Sequence, residues 1–206
     1  EVETPYDYTF KKLEGEGFEL IDSTHFMITQ PKVTIRPVIE PKPKSKVKGI
    51  VINEWSLKQK ANHDSEDWVE IYNHSNKAVS FNGWALRDED DDHIFKLPEI
   101  ILEPKGYIVL VQNEQAFDSV FNNEVQNVYG NIDFGFSASG DQIRLYDDKG
   151  FMVDSLTYDT LRFGQFEPKM ALNRSFPDQQ EWAFAKPSPG AINYLYALHL
   201  QQIEDE

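Results

Sequence analysis

The chain has 206 residues, 40% of them hydrophobic and 13% aromatic, which suits one domain with a buried core and further segments attached to it. It contains no cysteine, so disulfides, thiolate catalysis and cysteine-ligated metal sites are excluded. The net charge is −15, and most of the excess acid lies in residues 47–194, so we expect no nucleic-acid partner.

Residues 1–39 predict short β-strands. Aromatic side chains alternate with polar ones at Tyr6, Tyr8 and Phe10, and a β-branched alternating run occupies residues 33–38. Because so short a segment cannot build a core of its own, it is either a set of extra strands on the following domain or the end of a preceding domain.

Residues 40–47 predict a linker. Proline and lysine alternate here, which favours an extended polyproline-like chain and opposes sheet pairing. We interpret the lysines of this region as solvated side chains, and we place the domain boundary here. The main domain is expected to cover residues 48–194.

The main domain carries strand patterns at short intervals. Turn signals separate them, for example at residues 82–83 and 147–150, and this arrangement favours a β-sandwich or barrel. The predicted strands are residues 49–55, 67–72, 78–81, 84–86, 106–111, 142–146 and 151–156.

Two segments show the apolar spacing of helices. Residues 114–121 predict a short helix inside the domain, and residues 194–203 predict a C-terminal helix. We expect residues 195–206 to form a helical acidic tail. No apolar run approaches the length needed to span a membrane.

A series of short motifs covers most of the main domain. The motifs are IVINE at 50–54, DWVEIYN at 67–73, VSFNGWAL at 79–86, LEPKGYIV at 102–109, SASGDQIRLYD at 137–147, VDSLTY at 153–158 and PSPGAIN at 187–193. In number, order and spacing these motifs resemble the lamin tail domain family.

This resemblance implies an all-β, immunoglobulin-like β-sandwich, and it carries over no catalytic residue. The family occurs in the nuclear lamins of animals. It also occurs in many bacterial exported or surface proteins, often beside hydrolases, nucleases or spore-coat-kinase-like domains. The seven-residue periodicity of a filament rod is absent from this sequence, so the resemblance favours the bacterial exported type.

The acidic run at residues 88–92 is the sharpest candidate for a ligand site. Asp88, Asp90, Asp92 and Glu99 have the spacing of an EF-hand calcium loop, in which several oxygen ligands converge on a hard cation. His93, however, stands where that loop needs glycine for its sharp turn. The alternative interpretation is a solvated acidic hairpin tip that improves solubility.

A second polar cluster lies between two predicted strands. His63, Asp64, Glu66 and Asp67 are close in sequence, and His74 follows the next strand, so a metal ion could be bound here. The alternative is a group of ordinary solvent-exposed side chains.

The sequence offers only weak candidates for catalysis. Ser137 and Ser139 lie between two glycines, but the spacing does not fit a nucleophile elbow, and we expect these serines to shape a turn. Glu54 and Glu70 could pair as glycosidase carboxylates, yet nothing in the sequence places them in one cleft. We expect them to be surface residues, and we predict that the chain is not an enzyme.

The four tryptophans could contribute to packing or to a binding platform. Trp84 and Trp182 occupy core positions of the resembled family, so we predict that both are packed. For Trp55 and Trp68 both interpretations stay open, since exposed aromatic side chains would suit a carbohydrate or peptide ligand.

We therefore predict a non-catalytic module that binds a protein or a glycan at the surface of a bacterial cell. One alternative is an accessory domain of a larger hydrolase, nuclease or spore-coat-kinase-like enzyme. Another is a calcium-dependent adhesion module. The sequence begins with Glu1 rather than Met, so we interpret it as a trimmed chain or a mature form, and its lack of a signal peptide says little about the compartment. The resemblance implies export to the periplasm or cell surface, with any lipid anchor on a removed N-terminus.

Overall fold

The structure is a computed structural model, and it describes residues 4–22, 25–58, 65–166 and 169–204. Over these ranges the chain forms sixteen strands and three short helices. The strands are β1 Tyr8–Glu16, β2 Phe18–Leu20, β3 Phe26–Ile28, β4 Thr34–Pro41, β5 Ile50–Ser56, β6 Trp68–Asn73, β7 Val79–Ser80, β8 Ala85–Arg87, β9 Phe95–Lys96, β10 Ile101–Leu102, β11 Tyr107–Val111, β12 Val128–Tyr129, β13 Gly140–Tyr146, β14 Met152–Asp159, β15 Ala171–Arg174 and β16 Trp182–Ala185. The helices are α1 Glu114–Phe121, α2 Thr160–Phe163 and α3 Tyr194–Glu204.

The chain divides into two compact units, Glu1–Lys44 and Ser45–Glu206. In the N-terminal unit, β1 pairs with β4 and β2 pairs with β3, both antiparallel. None of the hydrophobic side chains described in this unit is buried, so it has strands but no core of its own.

Strand β4 extends into the segment that the sequence predicts to be linker. Glu40 and Pro41 pair with Thr9 and Tyr8, so pairing continues two residues past the predicted boundary. The alternating prolines do not prevent this, because each strand of a two-stranded sheet has one edge that needs no hydrogen-bond partner. The chain leaves the N-terminal unit at Lys44.

The second unit, which we call the sandwich unit, is built from two large sheets and a small antiparallel pair of β7 and β10. One has six strands in the order β12-β11-β6-β5-β15-β16, and the other has four in the order β14-β13-β8-β9. Apolar side chains from both sheets meet in one core, for example Ile52 and Ile71 from the first sheet and Leu86 and Leu145 from the second. The predicted all-β sandwich is confirmed.

The six-stranded sheet is also covered on its second face. Residues of a strand alternate between faces, so Val69 and Ile71 enter the main core while Trp68 enters a second, smaller cluster. Helix α1 supplies the cover, since Phe117 is fully buried in that cluster. Asn113 caps the helix by accepting a hydrogen bond from the Ala116 amide at 3.1 Å.

The predicted helices at 114–121 and 194–203 are present, the second one residue longer than predicted. The additional helix α2 is a single turn, capped by the Asp159 side chain. Among the residues that the structure describes, no helix combines the length and the apolar character that a membrane span requires.

Candidate functional site

Glu54 and Glu70 face each other on neighbouring strands at the centre of the six-stranded sheet. They are directly opposite in the register of β5 and β6, and both are 0% exposed. The expectation that they are separate surface residues is wrong. It fails because it assumes an open second face of the sheet, whereas α1 and the segment after β16 cover that face.

The two carboxylates hold the segment 187–193 against the sheet. Glu54 accepts hydrogen bonds from Asn173 Nδ2 at 3.0 Å, from the Ser188 amide at 3.0 Å and from the Ser188 hydroxyl at 3.2 Å. Glu70 accepts one from the Gly190 amide. Two backbone amides of this segment therefore donate to buried acids rather than to water.

Two asparagines complete the same network. Asn53 Nδ2 donates to Glu70 at 2.7 Å and to Asn193 Oδ1 at 2.9 Å. Asn193 Nδ2 in turn donates to the backbone oxygens of Asn53 at 2.8 Å and Arg174 at 2.9 Å. We call Glu54, Glu70, Asn53, Asn173 and Asn193 the carboxylate clamp.

Burial dominates the electrostatics of the clamp. Burial raises the pKa of Glu54 to about 8, although hydrogen bonds from Ser188 and Asn173 act in the opposite direction. Burial, and then the charge of Glu54, raise the pKa of Glu70 well above its ordinary value. The pair therefore retains a proton at neutral pH.

A buried acid pair with raised pKa values could in principle serve as an acid–base catalyst. Such catalysis requires that a substrate reach the carboxyl oxygens. Glu54 and Glu70 are 0% exposed, and their oxygens accept hydrogen bonds from the protein itself. The chemistry of this arrangement is therefore the attachment of one chain segment to another.

The acidic loop at residues 88–92 follows β8. Asp88 is buried, and its carboxylate accepts from the Asp90 amide at 2.8 Å and contacts His93 Nδ1 at 2.8 Å. Asp90 accepts from the Asp92 amide at 2.9 Å. Glu99 is exposed and lies beyond β9. The hydrogen bond that the His93 ring donates to the Asp88 carboxylate raises the pKa of His93.

Two arginines hold the same loop. Arg144 Nη1 pairs with Asp91 at 2.8 Å, and Arg144 Nε donates to the backbone oxygen of Asp88 at 2.9 Å. Arg87 donates to the backbone oxygen of Asp91. Across the described part of the chain, no three His, Asp or Glu side chains are arranged to hold a metal ion. The calcium site of Asp88, Asp90, Asp92 and Glu99 stays a prediction.

Of the second polar cluster, His63 and Asp64 lie outside the described residues. Asp67 is buried and accepts hydrogen bonds from the backbone amides of Phe136, at 2.7 Å, and Lys58. Glu66 pairs with Lys58 at 2.7 Å. Asp67 thus joins the chain around residue 58 to the loop before β13.

His74 lies at the other end of β6 from Asp67, and burial lowers its pKa. The serines of the supposed elbow lie just before β13. Ser137 and Ser139 contact each other through their hydroxyls at 3.0 Å, and the Ser137 amide donates to Asp141 at 2.7 Å. These are contacts of a turn.

The tryptophans belong to the cores. Trp55, Trp68 and Trp84 are at most 3% exposed, and Trp182 is partly buried with the Arg174 guanidinium 4.6 Å from its ring centroid. The question left open for Trp55 and Trp68 is thereby answered in favour of packing.

The fold and the buried clamp define an immunoglobulin-like β-sandwich domain, stabilised by internal polar contacts. The chain belongs to the lamin tail domain family, whose family model matches residues 43–160. No curated protein sequence matches the chain significantly. The matched range ends before β15, although β15 lies inside the six-stranded sheet.

Proposed function

We propose that this lamin tail domain is a non-catalytic interaction module of an exported or surface-attached bacterial protein, and that its partner is a protein. The family is one of immunoglobulin-like domains, which is compatible with such a role. Glu54 and Glu70 are the pair of acids best suited to catalysis by their raised pKa values, but both are buried and accept hydrogen bonds from the backbone of the segment 187–193. This arrangement supports a role without catalysis.

The observation that carries the proposal is the apolar surface of the N-terminal unit. Leu20 and Met27 are each 52% exposed, Ile28 is 64% exposed and Ile21 is 67% exposed, all on or beside the β2–β3 hairpin. Leu20 and Ile28 share one face of the hairpin with Phe26, which is 40% exposed and lies opposite Leu20 in the register. Exposed apolar side chains grouped on one face mark interaction surfaces. A glycan is the weaker choice, because the tryptophans that would form a sugar platform are packed inside.

A photoreactive residue at Ile28 tests the partner directly, in cells that make the full-length protein. We expect irradiation to attach one reproducible protein to position 28. The matched control carries the same residue at the exposed Lys77 of the sandwich unit and should not capture that protein. Absence of a position-specific protein adduct contradicts the proposal.

The second candidate is an accessory domain of a larger enzyme. It is favoured by one observation, that the described hydrophobic residues of the N-terminal unit include none that is buried, as expected of strands detached from a neighbouring domain. The full-length reading frame decides this point. A catalytic domain encoded directly upstream supports this candidate. In that case we expect the photoreactive residue at position 28 to cross-link to that domain in the same polypeptide, and not to a separate protein.

Absence of catalysis has its own test. We expect no turnover of glycoside or ester substrates by the chain, and no difference between the parent and Glu54→Gln. Turnover that is lost in Glu54→Gln, at unchanged folding by circular dichroism, contradicts the proposal.

A further inference from the structure

Three lysines lie at one corner of the sandwich unit, which does not include the hairpin on which the proposed function rests. Lys48 precedes β5, Lys77 follows β6 and Lys105 precedes β11. These strands are neighbours in the six-stranded sheet, in the order β11-β6-β5, and β6 is antiparallel to both of the others. The start of β5, the end of β6 and the start of β11 therefore meet at the same end of the sheet. We call Lys48, Lys77 and Lys105 the lysine corner.

The backbone around the corner is held by hydrogen bonds and by one close approach. The His74 amide donates to the oxygen of Gly49 at 2.8 Å, and Asn73 Nδ2 donates to the oxygen of Lys77 at 2.8 Å. Gly49 has φ +82, and a β-carbon at this position would lie 2.5 Å from that of Ser75, so the two segments can meet only because residue 49 is glycine. The lysines therefore start from fixed and neighbouring positions.

Lys105 has a backbone conformation that lysine seldom adopts. Its φ is +62, at the third position of a turn that is closed by the hydrogen bond from the Gly106 amide to the Glu103 oxygen at 3.0 Å. Glycine or asparagine is the residue usually found at such a position. The Lys105 amide donates to the Asn73 oxygen at 2.8 Å, which fixes the turn against the end of β6. Since strained residues of this kind cluster at ligand sites, the side chain of Lys105 is a candidate for ligand contact.

The ammonium groups of the corner are not neutralised by the acids that the structure describes. All three lysines are exposed, and none lies within ion-pair distance of a described carboxylate. Lys105 Nζ donates to the backbone oxygen of His74, which uses one of its three N–H donors and leaves its charge in place. The corner therefore presents three positive charges to solvent.

The local field at the corner is positive although the chain has a net charge of −15. At physiological salt, exposed charges are largely screened beyond about 8–10 Å, so the nearest groups decide what binds. After burial, the charge of Lys105 is the next cause that lowers the pKa of His74, and it acts more strongly than Asp178, which raises this pKa. Glu103 is exposed on the same turn as Lys105 and offsets one of the three charges.

We propose that the lysine corner binds a phosphate group, with its oxygens between ammonium groups that come from three strand ends. Neighbouring strands are about 4.8 Å apart, so Lys48 and Lys105 start roughly 10 Å from each other, within the reach of two lysine side chains. Lysine contacts phosphate as a point charge, whereas a planar carboxylate is matched best by the fork of arginine. A phosphate monoester has three acceptor oxygens, which corresponds to one for each ammonium group. A phospholipid headgroup and a soluble phosphate ester share this chemistry.

Calorimetric titration of the whole chain with tripolyphosphate tests the proposal. We expect saturable binding that weakens as sodium chloride is added. Sedimentation with vesicles of phosphatidylglycerol and phosphatidylcholine, compared with vesicles of phosphatidylcholine alone, identifies the source of the phosphate. Binding to the anionic vesicles indicates a lipid headgroup, and binding to tripolyphosphate alone indicates a soluble phosphate ester. Binding to neither probe overturns the proposal.

Single variants assign the binding to the corner. Lys48→Gln and Lys77→Gln should each weaken tripolyphosphate binding by roughly two- to fivefold, the effect of one exposed charge pair. Lys96→Gln removes an exposed lysine from β9 in the other large sheet and should leave the affinity unchanged. An equal loss in Lys96→Gln would show attraction by overall charge alone and contradicts the assigned site.

Lys105→Gly separates binding from stability. Glycine adopts φ +62 without strain, so the unfolding midpoint should not fall, while tripolyphosphate binding should weaken. A lower midpoint with full affinity would assign Lys105 to the structure alone, through its bond to His74, and contradicts its place in the site. If midpoint and affinity both fall, the comparison of Lys48→Gln and Lys77→Gln with Lys96→Gln decides the matter.

Discussion

At the scale of single residues, the most informative feature is the pair of buried acids in the carboxylate clamp. Glu54 and Glu70 each receive hydrogen bonds from a segment that lies more than a hundred positions away in sequence. Buried donors that lose their acceptor are costly, because they cannot turn to water instead. The clamp therefore ties the stability of the sheet to the segment 187–193.

Glu54→Ala is expected to destabilise the fold strongly. It leaves the buried Asn173 amide and the Ser188 amide without their acceptor, and each unpaired donor costs about 1–3 kcal/mol. Urea denaturation should show a lower free energy of unfolding. Glu103→Ala, at an exposed acid, is the control and should stay within about 0.5 kcal/mol of the parent.

Stability should also depend on pH through the clamp. The pKa of Glu54 is about 8 in the fold, against roughly 4.3 for an unfolded glutamate, so the folded state binds more protons between these values. Stability is therefore complete below the lower value and falls as pH rises toward 8. For each such acid the slope is at most about 1.4 kcal/mol per pH unit.

Denaturation curves between pH 6 and 8 measure this slope. Above pH 6 the buried Asp141, whose pKa is raised to about 6, contributes little further change. The variant with both Glu54→Gln and Glu70→Gln keeps the size of the side chains and should lose the part of the slope that comes from the clamp. The shifted pKa values of His74 and His93 contribute equally in parent and variant. An identical slope in parent and double variant would assign the pH dependence to other groups.

At the scale of elements, the acidic loop after β8 can be compared with the loop that the spacing predicts. Its carboxylates accept backbone hydrogen bonds from the loop itself, and Arg144 pairs with Asp91. The buried Arg144 and the hydrogen bonds within the loop therefore determine the conformation of the loop. A calcium ion would have to compete with them.

The calcium hypothesis makes a simple prediction for this loop. Calorimetry with calcium should show heat of binding in the parent and none in Asp90→Asn, because that change removes one ligand charge. Absence of heat in the parent rejects the calcium-dependent adhesion module. Asp148→Asn, at an exposed acid on the β13–β14 turn, is the matched control and should bind as the parent does.

The elements were predictable where the pattern of side chains is local. The apolar run at 106–111 and the helical spacing at 114–121 agree with β11 and α1 within one residue. The structural role of Glu54 and Glu70 was not predictable from the sequence, because it depends on which strands pair and on what covers the second face of the six-stranded sheet. The one local signal was the polar pair Asn53 and Glu54 inside an otherwise apolar strand, which is costly unless partners exist.

At the scale of the whole molecule, the two units differ in how they are held together. The N-terminal unit consists of paired strands whose described hydrophobic residues all keep some exposure, while the sandwich unit contains two buried clusters. Removal of either end of the chain should therefore have opposite consequences.

A chain that begins at Ser45 is expected to unfold cooperatively, because it keeps both buried clusters and the hydrogen bond from Ser45 to Asp147 at 2.6 Å. A chain that ends at Phe166 should fail to fold, although it keeps the whole range that the family model matches. It lacks β15 and both donors that hold Glu54. Dispersion of proton spectra distinguishes the two outcomes, and a folded chain ending at Phe166 would contradict this view.

The place of β15 between β5 and β16 also matters while the protein is being made. Glu54 on β5 pairs in register with Asn173, so one edge of an apolar strand lacks its neighbour until a further 119 residues have been synthesised. At about 5–20 residues per second this delay lasts several seconds or more. Throughout that time Glu54 is in water and ionised, and a charge on an open strand edge discourages pairing with other nascent chains. Glu54, which accepts hydrogen bonds as a neutral group in the folded protein, thus opposes aggregation as a charged group before the fold is complete.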